Sequence, residues 1–334
     1  MRILFLGGTG IISSGSARRL ADRLDVELTF FLRGQSTRAV PPGVEVLNGD
    51  LRDPGSVRAV LQHRRFDVVV NFIAFTAAHV QADIEFFRGK VGQYVFISSA
   101  SAYQTPPARL PVTESTPLKN PFWQYSRDKI ACEEALGRAY RELYFPVTIV
   151  RPSHTYDSRS LPVHGGYTVI DRMRRGKPVV VHGDGTSLWV LTHHDDFARG
   201  FNGLLGNPHA IGDTFHITSD ELLSWNQIHE LLAECAGARA KLVHVPSERI
   251  ARADPGWGAS LLGDKAHSMI FDNTKIKRVV PGFSADIPYA TGAREVMAWF
   301  DADPARQQVD REFDALCDRL IAAEAESTLG AGAL

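Results

Sequence analysis

Short apolar runs alternate with helical stretches over the first 150 residues of the chain. Strands are predicted at Arg2–Leu6, Val26–Leu32, Val44–Leu47, Asp67–Phe72, Tyr94–Ser98 and Val147–Val150, and helices at Ser14–Arg23, Pro54–Leu61 and Tyr125–Tyr140. The runs that begin at Phe66 and Phe145 are continuously apolar and β-branched, which is typical of strands buried on both faces of a parallel sheet. The alternation therefore predicts an α/β fold, with a Rossmann-type, doubly wound parallel sheet.

The pattern changes after Arg151, where loops rich in Pro, Gly and His separate isolated helices, predicted at Ser224–Ala236 and Ala293–Phe300. We therefore predict a dinucleotide-binding Rossmann domain over residues 1–155, with later strands contributed by the C-terminal half of the chain. A smaller C-terminal substrate-binding lobe is predicted over residues 156–320. Small residues near the C-terminus predict a flexible tail over residues 321–334.

Composition narrows the class of protein. The 334 residues include 37 Lys and Arg against 38 Asp and Glu, so no surface for nucleic acid is expected. Cys132, Cys235 and Cys317 are far apart and form no C-x-x-C pair, which favours reduced thiols over a zinc site. No apolar run approaches about 20 residues, and Met1 leads directly into the first strand. We therefore expect a soluble cytoplasmic protein without a membrane span or signal peptide.

A glycine-rich turn, Gly7-Gly8-Thr9-Gly10-Ile11-Ile12-Ser13, follows the first predicted strand. Such a backbone can approach a pyrophosphate closely and presents the N-terminus of the next helix to it. Ordinary strand–helix connections also contain such turns, but the position directly after an N-terminal strand favours a cofactor. Cofactor contacts are therefore predicted for Gly7, Thr9, Gly10, Ile11 and Ile12.

The end of the second strand bears on the choice between NAD and NADP. An acidic residue there would accept a hydrogen bond from the ribose 2′-hydroxyl of NAD, whereas this strand ends in Leu32-Arg33-Gly34. A guanidinium suits the 2′-phosphate of NADP, so Arg33 favours NADP. Stacking of Arg33 on the adenine of NAD is the alternative. Asp50 and Leu51, after the third strand, are predicted to lie near the adenine.

Tyr125 and Lys129 are the leading candidates for catalysis. They lie four residues apart in Tyr-Ser-Arg-Asp-Lys and so share one face of a predicted helix. A phenol with a pKa of about 10 is a poor acid or base at neutral pH, and a neighbouring ammonium would lower that pKa. Ser99 directly follows an apolar strand, where its hydroxyl can hydrogen-bond the same reacting oxygen.

The order of these motifs resembles that of extended short-chain dehydrogenases/reductases, and most closely the nucleotide-sugar epimerase/dehydratase family. The matching motifs are the turn Gly7–Gly10, Gly49-Asp50-Leu51, Ser98-Ser99, Glu114–Pro117, Tyr125-x-x-x-Lys129, Arg151-Pro152 and Gly183-Asp184-Gly185 followed by Asp195-Asp196. The resemblance covers roughly residues 1–300. It implies that hydride passes between a nicotinamide and a carbon of the substrate.

The resemblance also implies roles for individual residues. In the family, the Tyr matching Tyr125 exchanges a proton with a substrate hydroxyl or ketone. The Lys matching Lys129 also binds the nicotinamide ribose, and the Ser matching Ser99 aligns the substrate oxygen. Further cofactor contacts are implied for Phe72, Ile73, Ala74, Ser98, Pro152 and Ser153. Candidate substrate contacts are Phe75, Ser101, Trp123, His154, Trp189 and Lys265.

Other interpretations of these substrate contacts remain open. Trp189 can stack on a sugar ring or a flat apolar substrate, or it can fill the core. Trp123 can shape the substrate entrance or pack in the core. His154 can be a second acid/base or an ordinary loop histidine. Lys265 can contact a phosphate or lie in a solvated loop.

Three departures from the family pattern narrow the expected chemistry. Sugar 4,6-dehydratases carry an acid pair where this chain has Ala100 and Ser101, so that reaction is not expected. The family usually has an Arg in place of Trp189, and loss of that charge-assisted contact, about 1.5–3 kcal/mol, puts a nucleoside diphosphate in doubt. The helix between Ala74 and Tyr94 looks short. In the family that helix often helps to form a dimer, so a homodimer is kept as a hypothesis.

The cluster His193-His194-Asp195-Asp196 contains metal-ligating residue types. Adjacent side chains of a strand point to opposite faces, so no metal is expected here. Asp195 or Asp196 is predicted instead to cap a helix that begins at Phe197.

Three functions are compatible with these features. The leading hypothesis is an NAD(P)-dependent epimerase of a sugar or sugar nucleotide, in which Tyr125 takes the hydroxyl proton, a transient ketone turns, and hydride returns to its other face. The second is an NADPH-dependent ketoreductase or dehydrogenase of a sugar or secondary-metabolite ketone. The third is a non-catalytic cofactor-binding module, serving as a redox sensor or binding RNA. The Ser-Tyr-Lys set and the net charge of −1 argue against the third hypothesis.

Overall fold

A seven-stranded parallel sheet forms the centre of the molecule in the computed structural model, which describes residues 1–331. The strands are β1 (Arg2–Leu6), β2 (Glu27–Leu32), β3 (Glu45–Asn48), β4 (Phe66–Asn71), β5 (Val91–Ile97), β6 (Val147–Pro152), β7 (His154–Tyr156), β8 (Val179–His182), β9 (Leu188–Trp189), β10 (Leu191–His193), β11 (Thr214–Ile217), β12 (Leu223–Ser224) and β13 (Leu242–Val245). The central sheet has the order β11-β6-β5-β4-β1-β2-β3, and each neighbouring pair is parallel. The predicted Rossmann-type doubly wound sheet is thereby confirmed.

Helices cover both faces of this sheet and build the smaller lobe. They are α1 (Ile11–Ala21), α2 (Pro54–Leu61), α3 (Ala77–Phe87), α4 (Gln124–Leu143), α5 (Tyr167–Arg174), α6 (His194–Asn202), α7 (Trp225–Cys235), α8 (Ser247–Ala253), α9 (Pro255–Ser260), α10 (Thr274–Val279), α11 (Tyr289–Asp301) and α12 (Arg311–Ala331). Short 3₁₀ turns span Ala100–Ala102, Pro208–Ala210 and Pro304–Arg306, and a π-helical turn spans Leu261–Lys265. None of the helices described is long and apolar enough to cross a membrane.

Successive residues of β1 enter different cores, as expected for a strand buried on both faces. Ile3 and Phe5 pack with α1 and α6, whereas Leu4 and Leu6 pack with α2, α3 and α4. A third core, rich in aromatic rings such as Trp189 and Trp225, fills the smaller lobe. The carboxyl ends of the strands open between this lobe and the sheet, which is where doubly wound sheets bind ligands.

Helix α1 packs against α6, a helix from the C-terminal half of the chain. Gly15 makes this close approach feasible, because a Cβ there would lie 2.7 Å from the carbonyl oxygen of His194. Ser16 Oγ also donates a hydrogen bond to Asn202. The C-terminal half therefore completes the first domain through α6 as well as through the edge strand β11.

Helix α12 continues through Ala331, so residues 321–331 are helical, and the flexibility predicted for this tail stays a prediction. This helix buries Phe313, Leu316, Cys317 and Leu320, at the spacing of an amphipathic helix. The small residues beyond them include several alanines, which favour helix over coil. Residues 332–334 of the predicted tail lie outside the described residues.

Candidate active site

The glycine turn has the backbone that close approach to a dinucleotide requires. Gly7 has a φ of +81°, which favours glycine, and a Cβ there would lie 2.6 Å from Ile73 Cγ2. A Cβ on Gly8 would lie 2.5 Å from the ring of Phe30. Gly10 is the N-cap of α1, and its N–H donates to Ser13 Oγ at 2.8 Å. The first amides of α1 thus face the turn and suit a phosphate.

Two cavities meet at this turn, sharing Gly7, Thr9 and Ile73. One of about 490 Å³ also contacts Gly10, Ile11, Ile12, Phe72 and Ser153. The other, of about 370 Å³, contacts Arg33, Asp50 and Leu51. Together they form a groove along the carboxyl edge of the sheet that fits an extended dinucleotide. Most of the predicted cofactor residues line it.

Three predicted cofactor residues lie beneath the groove surface. The Ser98 hydroxyl donates to Glu133 Oε1 at 2.5 Å, and this carboxylate also pairs with Arg151. Ala74 is fully buried and contributes its carbonyl oxygen to the site, as described below. Pro152 is buried at the end of β6. These three residues therefore lie under the residues that line the groove.

The part of the groove that contacts Asp50 and Leu51 is rich in arginine. Arg33 is exposed at its rim, directly after β2. Arg38 forms an ion pair with the buried carboxylate of Asp157, and Arg52 donates to the carbonyl oxygen of Ile73. Sequence patterns did not single out Arg38 or Arg52, because their loops follow no periodic motif. Both line this end of the groove.

Tyr125 lies in the first turn of α4, which begins at Gln124 after the N-cap Trp123. Burial raises the pKa of the Tyr125 phenol, hydrogen bonding from Ser99 opposes that rise, and the carboxylate of Asp264 adds to it. The ring of Trp123 packs 5.0 Å from the Tyr125 ring, measured between centroids. The net pKa shift is therefore upward, opposite to the expected effect of Lys129.

Lys129 lies one turn further along α4 and is fully buried. Its Nζ donates to the carbonyl oxygens of Ala74 at 2.7 Å and Ile97 at 2.8 Å. The same atom lies 5.8 Å from the centroid of the Tyr125 ring and 4.9 Å from that of Phe75. Burial lowers the Lys129 pKa to about 8. An ammonium has three N–H donors, so one is left for a ligand.

Ser99 belongs to a chain of hydroxyls at the end of β5. Its Oγ lies 2.9 Å from Ser101 Oγ, which in turn accepts a hydrogen bond from Ser126 Oγ at 2.8 Å. Ser101 is 3% exposed, so the structure places it behind Ser99 rather than against a substrate. Ala100 carries no acid, consistent with the absence of a dehydratase pair.

The other predicted substrate residues surround the same space. Trp189 is buried, and its Nε1 donates to His154 Nδ1 at 3.3 Å. Lys265 Nζ lies 5.5 Å from the ring centroid of Trp123 and 5.7 Å from that of Trp189. Burial, reinforced by Lys265, lowers the His154 pKa to about 3. His154 is therefore neutral at pH 7.

Asp264 is a site residue that sequence analysis missed. It pairs with Lys265 at 3.3 Å and, as noted above, its charge reaches Tyr125. The π-helical turn brings it there, and such turns are frequent at functional sites. Asn120 fixes the turn by donating to the carbonyl oxygen of Gly263 at 2.6 Å. No periodic pattern in the sequence marks a π turn, so nothing signalled this position.

The histidine cluster differs from its prediction. Helix α6 begins at His194, three residues before Phe197, and His193 rather than an aspartate is the cap. Atoms of His193, His194 and Asp195 consequently lie within 4.8 Å of one another. They have protein partners: His193 contacts Glu295 at 3.0 Å, His194 contacts Ser14 at 3.0 Å, and Asp195 pairs with Arg18. The argument from opposite strand faces is therefore wrong, because these residues start a helix.

A family model described as the NAD dependent epimerase/dehydratase family matches residues 3–88 and 85–217, well over half of the chain. The chain belongs to this family. Membership confirms the resemblance to extended short-chain dehydrogenases/reductases and the class of NAD-dependent enzyme.

Individual relatives differ in how much of the chain they match. The 2'-dehydrokanamycin reductase of Streptomyces kanamyceticus is 27% identical over 296 residues, covering 85% of this chain and 80% of the relative. An uncharacterized UDP-glucose epimerase of Bacillus subtilis is 29% identical over 150 residues, which is 45% of this chain and 46% of the relative. This chain thus spans about half the length of that epimerase.

A solved structure supports the fold. UDP-glucuronic acid 4-epimerase from Bacillus cereus, in complex with NAD, superimposes with a TM-score of 0.72 at 19% identity. The match covers 92% of this chain and all of the other. At that identity the likeness concerns the fold alone.

Proposed function

We propose that this protein moves hydride at a hydroxyl-bearing carbon of a sugar, with NAD(P) as hydride carrier and Tyr125 as acid/base, and that it acts as an epimerase. The observation that carries the proposal is the convergence of Tyr125, Ser99 and Lys129 at the carboxyl ends of β4 and β5. Lys129 donates to the carbonyl oxygen of Ile97, a residue that lines the groove suited to a dinucleotide. Family membership supports the same chemistry.

The residues of the chain divide the work of a hydride transfer. NAD(P), when bound, supplies or accepts the hydride. Tyr125 exchanges a proton with the substrate oxygen, and Ser99 holds that oxygen by a hydrogen bond. The remaining N–H of Lys129 is available to the cofactor ribose. Trp123 offers an aromatic face to a sugar ring, whereas Trp189 is buried in the core of the smaller lobe. The hydroxyl chain behind Ser99 fixes the orientation of the Ser99 hydroxyl.

Replacement of Tyr125 by Phe tests this assignment. Loss of the phenol proton should reduce turnover by about 100-fold to 10,000-fold, while cofactor binding is unchanged because the ring remains. The rate is measured by NMR, as the transfer of deuterium from a cofactor labelled on its nicotinamide ring to the carbon of the substrate. Tyr144→Phe is the matched control, since Tyr144 is 90% exposed and distant from α4's first turn. Near-normal turnover of the Tyr125→Phe protein would contradict the proposal.

A net ketoreductase is the second candidate. It is supported by the similarity to a reductase that matches 85% of this chain, whereas the epimerase of Bacillus subtilis matches less than half. Absorbance of the reduced cofactor under multiple turnovers separates the two functions. An epimerase leaves the absorbance unchanged because hydride returns to the substrate. Continuous consumption of reduced cofactor would instead establish the reductase.

The proposal also covers the type of cofactor, the cellular location, the partner and the assembly. Arg33 and the missing acid after β2 support NADP over NAD. The three free cysteines support a cytoplasmic location. A small sugar is the expected partner, with a homodimer as the assembly hypothesis. A non-catalytic module is disfavoured because Ser99, Tyr125 and Lys129 are all retained.

A further inference from the structure

The smaller lobe contains a cavity of about 240 Å³. His154 and Lys265 line it, and both also belong to the predicted substrate contacts. Phe313 of α12 lines it too, with Trp225 and Trp257. Sites for drug-sized ligands usually measure about 300–1,000 Å³, so this cavity suits a single ring. A group attached to the reacting sugar would lie here.

An unpartnered donor marks the cavity as a binding site. The indole Nε1 of Trp225 is buried and has no hydrogen-bond partner, although the residue is 3% exposed and lines the cavity. A buried N–H without an acceptor costs about 1–3 kcal/mol. An acceptor on a ligand, such as a hydroxyl oxygen, would remove that cost.

Three histidines of the cavity have tautomers that their partners determine. His229 Nδ1 lies 2.8 Å from the Trp225 carbonyl oxygen, and His182 Nε2 lies 3.0 Å from that of Lys265. A carbonyl oxygen accepts, so each of these nitrogens carries the proton and the other ring nitrogen is an acceptor. In His154, by contrast, Nδ1 accepts a hydrogen bond from Trp189 Nε1, so the other ring nitrogen carries the proton. The cavity therefore offers both donors and acceptors.

Burial lowers the pKa values of all four histidines that line the cavity, His164 included. The pKa of His154 falls to about 3 and that of His182 to about 4, and the pKa of His229 is also lowered. Neutral imidazoles can hydrogen-bond hydroxyl groups but supply no positive charge to an anion.

The cations that line the cavity are already compensated. Arg172 is fully buried, and its guanidinium pairs with Asp314 and Asp318 of α12 and donates to the Pro178 carbonyl oxygen. Lys265 pairs with Asp264. Among the described residues around this cavity, no further Lys or Arg is present to neutralise a diphosphate. Burying such an anion without a free cation would be strongly unfavourable.

We propose that this cavity binds an uncharged, hydroxyl-bearing ring of the substrate, such as a second sugar, and excludes a nucleoside diphosphate. The inference deepens the proposed function and rests on it for the identity of the reacting sugar. Trp225, Trp257 and Phe313 provide apolar faces for the ring. Trp225 Nε1 and the histidines provide its polar contacts.

Indole NMR resonances give a direct test in the full chain with its cofactor. The protein has five tryptophans, so ¹⁵N-labelled indoles give at most five signals, and Trp225→Phe identifies one of them. The probes are uncharged disaccharides (maltose, cellobiose, lactose, sucrose and trehalose) and, separately, UDP and UDP-glucose. We expect the Trp225 signal to shift with at least one disaccharide and not with either nucleotide. A shift with UDP, or none with any disaccharide, would overturn the proposal.

Two cavity variants and one control distinguish a loss of disaccharide binding from a loss of folding. Trp225→Phe should weaken disaccharide binding roughly threefold to tenfold, corresponding to one hydrogen bond. Calorimetric titration measures this affinity, because the variant lacks the Trp225 signal. Ser260→Leu, which fills the cavity from α9, should abolish it. Trp299→Phe is the matched control, because Trp299 packs on Arg306 outside the cavity. Unchanged affinity in both cavity variants would also refute the proposal.

The outcomes separate this inference from the proposed function. If a disaccharide shifts Trp225 but no substrate hydrogen is exchanged, the cavity assignment stands and the epimerase or reductase chemistry fails. If hydrogen exchange depends on Tyr125 while Trp225 responds to UDP, the chemistry stands and the cavity assignment fails.

Discussion

The environment of Tyr125 favours its protonated form. Burial and the nearby carboxylate of Asp264 both raise the pKa of the phenol, while Lys129 is held by two main-chain carbonyl oxygens rather than by Tyr125. A protonated phenol is a proton donor, as the reduction of a ketone requires. The Ser99 hydrogen bond acts in the opposite direction and stabilises the phenolate. The balance between these opposing effects on the phenol pKa decides whether Tyr125 acts better as a proton donor or as a proton acceptor.

Arg33 is the residue that we propose selects NADP over NAD. Arg33→Ala should raise the KM for NADPH about tenfold or more, because a charge-assisted contact to the 2′-phosphate is worth about 1.5–3 kcal/mol. The KM for NADH should change little. Steady-state kinetics with both cofactors measure the two constants.

The control for this variant is Arg19→Ala, another exposed arginine, on α1 away from the groove. If Arg33→Ala weakens NADH and NADPH equally, Arg33 stacks on the adenine and does not read the phosphate. Added salt should reduce the difference between the cofactors, since Arg33 is exposed.

Elements β4 and α3 are joined by a buried polar network beneath the active site. Asp83 accepts hydrogen bonds from Asn71 Nδ2 and from the Tyr94 hydroxyl, each at 2.5 Å. Asn71 Oδ1 accepts from the amides of Ile73 and Ala74, each at 2.8 Å. Because the Ala74 carbonyl oxygen accepts a hydrogen bond from Lys129, this network positions the Lys129 ammonium through the backbone.

The same network should give the protein a measurable dependence of stability on pH. Burial raises the pKa of Asp83 from its ordinary value of 3.8 to about 6, with the hydrogen bonds from Tyr94 and Asn71 opposing the rise. Between these values the folded protein binds more protons than the unfolded chain, so stability falls as pH rises from about 4 to about 6. The loss should total on the order of 3 kcal/mol and level off above that window.

Asp83→Asn should remove this part of the pH dependence, because the amide keeps an acceptor oxygen and does not ionise. Urea unfolding at a series of pH values measures it. Asp22→Asn, at an exposed position, is the control and should retain the slope. An unchanged slope in Asp83→Asn would show that Asp83 is ionised throughout the range.

The regular elements were predictable, whereas the irregular ones were not. All six predicted strands lie in the sheet, and α2 has the predicted bounds, because its start is fixed by Asp53 as cap and Pro54 in the first turn. The start of α6 was misplaced because histidine is an unusual cap. The π turn that carries Asp264 has no periodicity to detect. Helix α12 was not predicted at all, and its alanine-rich end was interpreted as a tail.

At the scale of the whole molecule, the second half of the chain serves both parts of the protein. Strand β11 and helix α6 complete the domain built on the central sheet, while α5, α7, α9 and α12 surround the lobe cavity. The motifs that face the cofactor could be identified from sequence because each lies at a strand end. The cavity could not, because its lining comes from separate stretches that meet in three dimensions.

The contact between Gly15 of α1 and His194 of α6 has a consequence for synthesis of the protein. Helix α1 follows the first strand made, yet its packing surface is supplied almost two hundred residues later. During translation, the apolar face of the sheet that Phe197 and Phe201 of α6 cover therefore remains exposed until α6 has left the ribosome. Contacts so distant in sequence slow folding and leave the nascent chain open to chaperone binding.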